Sequence, residues 1–217
     1  AGSTVGLTGK ENKNTYYQLM NWTPNTPGAG RIIGYVVHSK DKSFEVGDCV
    51  LTRGYWRRYN IFKTNKVQKL DVSIPIESYM SILGGTGNAS YLPIKHIGKP
   101  KQGEVAFVSG AAGATGFCAV QVLKLLGCTV IGCASTSEKI KLLESVGVKA
   151  FNYKTEKTID ALMRLAPNGV DIYFDNVGGE ILESALEVMN DFGRIIACGS
   201  ISGYDQPVEK RYGVRNL

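Results

Sequence analysis

Three glycines spaced three residues apart are the residues of this chain most suited to binding chemistry: Gly110, Gly113 and Gly116. They follow a short apolar run at 105–108 and precede an apolar-periodic run at 114–126, so the sequence predicts a strand, a tight turn and a helix in succession. Such glycines permit a tight exit from the strand, close approach of an anion to backbone N–H groups, and close helix packing. An ordinary glycine-rich turn is the alternative. The residues predicted to contact a dinucleotide here are Gly113, Ala114, Thr115 and Gly116.

The end of the second predicted strand, residues 128–133, indicates which dinucleotide this turn would hold. An NAD-specific fold places Asp or Glu about 20 residues beyond the glycine turn, on the ribose 2′-hydroxyl. This chain instead has Ser135, Thr136 and Lys139 after the strand, whose hydroxyls and ammonium group can surround a 2′-phosphate. The pattern favours NADPH over NADH. A second interpretation, compatible with the first, is that Ser135 or Thr136 caps the next helix while Lys139 is solvated.

The composition is that of an ordinary globular protein: 217 residues, 43% hydrophobic and 20% charged. No apolar run is long enough to cross a membrane, and the first residues show no secretory signal, so we expect a cytoplasmic protein without membrane contact. The net charge of +6 comes from lysines and arginines spread along the chain. We therefore expect no nucleic-acid partner and a mildly basic surface that attracts a polyanionic cofactor.

Cysteine and histidine positions argue against a metal site. The five cysteines form no C-x-x-C pair, and four of them fall in apolar strand or helix segments, which predicts buried, reduced thiols. The two histidines, His38 and His96, lie far from each other and from any pair of cysteines. We therefore expect neither a structural nor a catalytic zinc ion.

Alternating strand and helix patterns from residue 104 onward predict an α/β fold with a doubly wound parallel (Rossmann) sheet. The predicted strands are 104–109, 128–133, 149–152, 170–175 and 193–198, and the predicted helices are about 114–126, 137–146, 156–166 and 179–190. Extended segments at 31–38, 46–51 and 56–62 predict a β-rich first domain. We expect domains at 1–95, including a linker helix near 75–91, and at 96–217. We expect both to be incomplete, the second because only five of the six strands of this fold are visible.

Motifs along most of the chain resemble one enzyme family. They are residues 46–50 (VGDCV), 82–91 (ILGGTGNASY), 108–116 (VSGAAGATG), 138–139 (EK), 151–154 (FNYK), 173–179 (YFDNVGG) and 193–202 (GRIIACGSIS), followed by Tyr204. This set resembles the zinc-independent medium-chain dehydrogenase/reductases, in the branch of alkenal/one double-bond reductases and prostaglandin reductases. The resemblance implies a GroES-like first domain, NADPH as cofactor, a small conjugated carbonyl compound as substrate, and a homodimer of the full-length protein.

The resemblance also assigns cofactor contacts residue by residue. In that family the counterparts of Lys139 and Tyr153 hold the adenosine 2′-phosphate, in agreement with the argument from the missing carboxylate. The Asp-Asn-Val-Gly-Gly turn places Asn176 near the ribose and phosphates. The residues whose backbone lies beside the nicotinamide half are Cys198, Gly199 and Ser200. The structural alternative for all of these is ordinary turn chemistry at strand ends.

Tyr204 is the catalytic candidate, because it matches a family tyrosine near the nicotinamide ribose and the substrate oxygen. Hydride addition to the β-carbon of an enone leaves an enolate, which a phenol O–H can stabilise or protonate. Without the resemblance, a surface turn tyrosine would be the simpler interpretation. The family has Met-Thr-Ala-Tyr where this chain has residues 88–91 (NASY), so Asn88 makes the wall facing the nicotinamide more polar. A quinone oxidoreductase of the same superfamily and a non-catalytic NADPH-binding protein remain the alternative functions.

Overall fold

In the computed structural model, which describes residues 27–207 together with Asn25, Lys210 and Gly213, the chain divides into two units between Met80 and Ser81. This division differs from the predicted boundary at 95/96. The reason is a helix of the second unit, α2 (Gly85–Pro93), which packs on the nucleotide-type fold. The hydroxyl of Ser90 in α2 is fully buried and donates a hydrogen bond to the carbonyl oxygen of Thr115 at 2.8 Å.

The first unit contains a three-stranded antiparallel sheet. Its strands, in spatial order, are β1 (Ala29–Tyr35), β2 (Cys49–Tyr55) and β3 (Gln68–Lys69). A short helix, α1 (Ile76–Met80), follows them. The buried apolar side chains of this unit are Cys49, Leu51 and Leu70, with Ile33, Ile76 and Tyr79 packed against them. The prediction of a β-rich first unit is confirmed in these residues.

The segment 56–62 is not a strand, although its aromatic content predicts an extended conformation. The side-chain amide of Asn60 donates to the carbonyl oxygen of Tyr55 at 3.1 Å, and its oxygen accepts a hydrogen bond from Nε of Arg57 at 3.0 Å. The segment therefore curls back on the end of β2 instead of extending the sheet. Trp56, Tyr59 and Ile61 in this segment are exposed.

The second unit is built on a five-stranded parallel sheet. Its strands are β4 (Val105–Val108), β5 (Thr129–Ala134), β6 (Lys149–Asn152), β7 (Val170–Asp175) and β8 (Met189–Ala197). The spatial order is β6-β5-β4-β7-β8. The direction of winding therefore reverses between β4 and β7, and in such sheets ligands bind at the carboxyl ends of the strands beside that reversal. The predicted doubly wound α/β fold is confirmed.

Four helices connect these strands and cover both faces of the sheet. They are α3 (Ala114–Leu125), α4 (Ser137–Ser145), α5 (Thr158–Leu165) and α6 (Gly179–Glu187). Alternate residues of each strand face opposite sides, so Ala106 and Val108 join one buried cluster while Phe107 joins the other. The Phe107 ring stacks on that of Tyr173, with centroids 5.0 Å apart. A continuous core thus holds the strand ends in fixed positions.

The last strand begins earlier than predicted, at Met189 instead of residue 193, and α6 ends correspondingly early. Val170 pairs with Met189, and the register between β7 and β8 then shifts before Ile172 pairs with Arg194. Phe192 lies in the irregular stretch with φ +62°. This irregularity inserts residues into β8 that a regular strand pattern does not indicate. Among the described residues, no helix is long and apolar enough to cross a membrane.

Candidate functional site

The glycine turn after β4 has the geometry that its sequence predicts. Gly110 has φ +57°, in the region that favours glycine, and its carbonyl oxygen accepts a hydrogen bond from the Gly113 N–H at 2.9 Å. Gly113 then caps α3 with extended backbone. A Cβ on Gly116 would overlap the carbonyl oxygen of Gly110 and lie 2.8 Å from Cα of Ala111. The third glycine therefore allows α3 to pack directly on the turn.

The amino end of α3 is suited to an anion. The first turn of this helix, which begins at Ala114, carries no acidic side chain. N–H groups in the first turn of a helix have no partner within the helix, and the helix dipole adds partial positive charge there. The predicted contact residues Gly113, Ala114, Thr115 and Gly116 all belong to this cap and first turn. The backbone here can hold a pyrophosphate without any cationic side chain.

A cleft of about 690 Å³ lies at the carboxyl ends of the parallel strands. The glycine turn contributes Gly110 and Ala112 to its lining. Of the predicted cofactor residues, three line it: Ser135, Lys139 and Tyr153. The others lie outside the lining, in the first turn of α3, at Thr136, at Asn176 and in the segment 198–200. The lining therefore includes three of the four residues predicted to hold the 2′-phosphate, and the fourth, Thr136, directly follows Ser135 in the chain.

Thr136 and Lys139 show how the segment after β5 is organised. The hydroxyl oxygen of Thr136 accepts a hydrogen bond from the backbone N–H of Lys139 at 3.4 Å, and Thr136 is the cap of α4. Of the two residues considered for capping, it is Thr136 that caps. Ser135 remains in the cleft lining, together with the side chains of Lys139 and Tyr153. The lining therefore includes a hydroxyl, an ammonium group and a phenol that follow the adjacent strands β5 and β6, and all three are donors to phosphate oxygens.

Asn176 connects the glycine turn with the turn that follows β7. Its side-chain amide donates to the carbonyl oxygen of Ser109 at 2.7 Å, and its backbone N–H donates to the Ser109 hydroxyl at 2.9 Å. The backbone N–H groups of Cys198 and Gly199 both donate to the carbonyl oxygen of Asp175 at 2.9 Å. The start of the turn after β8 is therefore joined to the last residue of β7 through backbone hydrogen bonds. The role of Asn176 in the described structure is to join two turns.

Tyr204 lies against the turn at the end of β8 and is 42% exposed. Its phenol oxygen accepts a hydrogen bond from the backbone N–H of Ser200 at 3.1 Å. A Cβ on Gly199 would lie 3.1 Å from that same oxygen. Tyr204 is outside the cleft lining, although Ile201 and Ser202 of the same turn contribute to it. The side chain is thus fixed at the end of β8 while part of it reaches solvent.

The start of α6 is a part of the cleft that the sequence interpretation missed. Val177, Gly178, Gly179, Glu180 and Ile181 all line it. Gly178 has φ +69°, and a Cβ at this position would overlap the Ser200 hydroxyl. The available signal in the sequence was the pair of adjacent glycines, separated from the end of β7 by two residues, which resembles the glycine-rich turn after β4. Ile201, Ser202, Gln206 and Lys210 complete this side of the lining.

The thiols and metal-binding side chains have ordinary surroundings. Cys49, Cys128 and Cys133 are buried, Cys118 is half-buried and Cys198 is exposed, and all five are free thiols. The prediction of burial therefore holds for three of them, and Cys198 departs from it because it follows the last residue of β8. In the part of the chain that the structure describes, no three His, Cys, Asp or Glu side chains lie close enough together to hold a metal ion.

Comparison with known proteins agrees with this geometry. The sequence family described as zinc-binding dehydrogenase matches residues 114–216. A 2-alkenal reductase (NADP(+)-dependent) of Nicotiana tabacum is 41% identical over 202 residues, which are 91% of this chain and 58% of the relative. Prostaglandin reductase 1 of Mus musculus is 40% identical over 183 residues, 82% of this chain and 56% of the relative. The crystal structure of CurA in complex with NADPH from Vibrio vulnificus matches with TM-score 0.77 and 31% identity, over 87% of this chain and 57% of that one.

The fold and the cleft define a doubly wound α/β protein of the dinucleotide-binding type. The matches agree with this class. Over most of its length the chain is similar to the 2-alkenal and prostaglandin reductases of the medium-chain dehydrogenase/reductases. It spans a little over half the length of the curated relatives that it matches.

Proposed function

We propose that the protein containing this chain reduces the carbon-carbon double bond of α,β-unsaturated aldehydes and ketones with NADPH. The observation that carries the proposal is that Ser135, Lys139 and Tyr153, which follow the adjacent strands β5 and β6, line the same cleft. The 2-alkenal reductase from tobacco is NADP-dependent by name, and the CurA structure contains NADPH. These relatives support both the choice of cofactor and the class of substrate.

The residues in and around the cleft fit the pyrophosphate and the 2′-phosphate of NADPH. The first turn of α3 offers backbone N–H groups for the pyrophosphate, and its cap, Gly113, has no side chain. Ser135, Lys139 and Tyr153 would hold the 2′-phosphate, while Thr136 positions Lys139 by capping α4. Asn176 would lie near the ribose and phosphates, and the segment 198–200 would border the nicotinamide half. NADPH, when bound, supplies a hydride to the β-carbon of the conjugated carbonyl compound.

Tyr204 is the residue proposed to act on the substrate. Addition of a hydride to an enone places negative charge on the carbonyl oxygen, and a phenol O–H at that oxygen stabilises the enolate or donates a proton. The oxygen of Tyr204 already accepts a hydrogen bond from the Ser200 N–H, which makes its O–H a better donor. Protonation of the α-carbon then completes the reduction.

The test compares NADPH consumption by the complete protein with a medium-chain enone and with the matching saturated ketone, and identifies the product by its mass. The proposal predicts consumption with the enone alone and a product two hydrogens heavier. If NADPH binds but neither compound reacts, the chain belongs to a non-catalytic NADPH-binding protein. Preferential reduction of quinones would instead support the quinone oxidoreductase alternative.

Three further properties stay predictions from the sequence and the resemblance. They are a cytoplasmic location, assembly of the full-length protein as a homodimer, and the absence of nucleic-acid and membrane partners. Size-exclusion chromatography with light scattering measures the mass of the complete protein in solution. A mass of two chains would support the dimer, and a mass of one chain would contradict it.

A further inference from the structure

Asp175, the last residue of β7, has an unusual hydrogen-bonding environment for a buried carboxylate. It is only 3% exposed, and one of its oxygens, Oδ1, accepts four hydrogen bonds. Two come from the backbone N–H groups of Val177 at 2.9 Å and Gly178 at 2.8 Å. The other two come from the Tyr173 phenol at 2.7 Å and the Ser109 hydroxyl at 3.1 Å. The buried charge is thus stabilised by hydrogen-bond donors concentrated on a single atom.

Three of these donors belong to two turns beside the cleft, and the fourth, Tyr173, lies within β7. Ser109 immediately precedes Gly110, so its bond to Asp175 joins the turns that follow β4 and β7 across 66 residues of sequence. Val177 and Gly178 both line the cleft, and Gly178 has φ +69°. Because the carboxylate holds the Gly178 N–H, it fixes a backbone conformation that is close to the cleft surface.

The backbone of Asp175 reaches the third turn. Its carbonyl oxygen accepts the N–H groups of Cys198 and Gly199, each at 2.9 Å. The segment that follows contributes Ile201 and Ser202 to the cleft lining. One residue therefore contacts the turns after β4, β7 and β8, and each of these turns contributes residues to the cleft lining.

Burial keeps the Tyr173 phenol protonated, so that it can donate a hydrogen bond. It raises the pKa of the Tyr173 phenol well above its usual range, and the charge of Asp175 raises it further. The phenol is therefore protonated at any ordinary pH and donates to the carboxylate throughout. Tyr173 is also fully buried in the core between the sheet and the helices α5 and α6, so the network is anchored to the fold.

A second carboxylate on β7, that of Asp171, also joins strands but lies away from the cleft. Comparing the two residues therefore distinguishes an effect on the stability of the sheet from an effect on the shape of the cleft. Asp171 lies near the amino end of the same strand, where Oδ2 accepts the Val105 N–H and Oδ1 accepts the Asn190 side-chain amide, both at 2.8 Å. It thus joins β4, β7 and β8, as Asp175 does, but at the amino ends of the strands, away from the cleft. Asp171 therefore provides a matched structural control.

We propose that Asp175 is a positioning residue for cofactor binding: through Ser109, Val177 and Gly178 it sets the relative placement of the cleft turns. The proposal takes its ligand, NADPH, from the proposed function, and the network itself is independent of that choice. Asp175 does not line the cleft and acts only through the backbone that it holds. Substituting it is therefore expected to change affinity without removing any direct contact with the cofactor.

The experiment measures NADPH dissociation constants by calorimetry and midpoints of thermal unfolding for Asp175→Asn, Ser109→Ala and Asp171→Asn. Asn keeps the size of the side chain but loses the charge that the four donors share. We expect Asp175→Asn to raise the dissociation constant about tenfold or more, and Ser109→Ala to raise it by about threefold. Asp171→Asn is expected to lower the unfolding midpoint and to leave the dissociation constant within about twofold of the original. The proposal would be overturned if Asp175→Asn and the original chain had equal NADPH dissociation constants. It would also be overturned if Asp171→Asn weakened NADPH binding as much as Asp175→Asn does.

Amide hydrogen exchange in the absence of cofactor keeps the test independent of the proposed function. In Asp175→Asn, the amides of Val177 and Gly178 are expected to exchange about tenfold faster, whereas the amide of Val105 is unchanged. In Asp171→Asn, the amide of Val105 is expected to exchange faster, whereas the amides of Val177 and Gly178 are unchanged. If the original chain does not bind NADPH, the proposed function fails, but the exchange pattern still decides whether Asp175 holds the turns. Unchanged exchange at Val177 and Gly178 in folded Asp175→Asn would contradict the proposal.

Discussion

The phenol oxygen of Tyr204 accepts a hydrogen bond from the backbone N–H of Ser200, with 3.1 Å between oxygen and nitrogen. This bond uses a lone pair of the oxygen and does not consume the O–H proton, which can be directed to a substrate. The backbone contact also fixes the side chain at the end of β8, where the predicted nicotinamide contacts Cys198, Gly199 and Ser200 lie. The tyrosine is therefore held at the turn in an orientation compatible with proton donation.

Substitution Tyr204→Phe removes the proton and retains the ring. We expect kcat for enone reduction to fall about 100-fold, because a positioned acid typically contributes at least that much. The NADPH dissociation constant is expected to change little, since the cleft lining does not include Tyr204. Steady-state kinetics and calorimetry on the same preparation measure both quantities. An unchanged kcat would remove Tyr204 from the mechanism.

The hydroxyl of Thr136 is expected to stabilise α4 and not to bind the cofactor directly. Thr136→Ala removes the cap that accepts the Lys139 N–H, so the free energy of unfolding should fall by about 1 kcal/mol. Thr136→Ser retains a capping hydroxyl and should restore most of this loss. Urea denaturation of the three proteins measures the effect. A large loss of NADPH affinity without loss of stability in Thr136→Ala would contradict this assignment and favour direct phosphate contact.

Close packing at the glycine turn predicts that two Gly-to-Ala substitutions differ in their effect on the free energy of unfolding. In Gly116→Ala the new Cβ overlaps the Gly110 carbonyl oxygen, so the turn and α3 must move apart, at a cost of about 1–3 kcal/mol. NADPH affinity should fall as well, because the same turn would hold the pyrophosphate. Gly85→Ala is the control, since nothing lies within 4 Å of its Cβ position and alanine favours the helix that begins there. Equal stability of the two variants would show that the turn is not closely packed.

Buried thiols predict a loss of stability at alkaline pH. Burial raises the pKa of the Cys128 thiol to about 11 and that of Cys133 to about 12. The unfolded chain ionises these thiols at their ordinary pKa, so it binds fewer protons than the folded chain above about pH 9. Stability should therefore fall as pH rises from about 9 to about 11. Urea denaturation at several pH values measures this slope, which should be shallower in a Cys128→Ala and Cys133→Ala double variant. The same slope in both proteins would contradict this origin.

Much of the second unit could be predicted because its buried parallel strands are apolar runs ended by turn residues. The strands β6 and β7 begin and end where the sequence places them, and β4 and β5 differ by a residue at either end. The early start of β8 could not be predicted, because it depends on a register shift beside Phe192. The non-strand conformation at 56–62 depends on one side chain, Asn60, whose bonds override the strand propensity of the aromatic residues around it.

The candidate site could be predicted where single segments determine it and not where distant segments meet. Lys139 and Tyr153 follow adjacent strands and line the same cleft, as expected for parallel β5 and β6. The importance of Asp175 was not apparent from the sequence, because its network depends on Ser109 in another strand. Likewise, the start of α6 enters the cleft only because β7 lies beside β4.

Selection of NADPH by Lys139 is the central claim, and calorimetric titration of the chain with NADPH and NADH tests it most directly. We expect NADPH to bind at least about tenfold more tightly than NADH, because a charge-assisted hydrogen bond to phosphate contributes about 1.5–3 kcal/mol. Lys139→Ala should remove most of this preference without weakening NADH binding. Lys141→Ala, an exposed lysine on the same helix outside the cleft lining, should leave it unchanged. Equal affinity of the original chain for NADPH and NADH, or a preference that survives Lys139→Ala, would contradict the account.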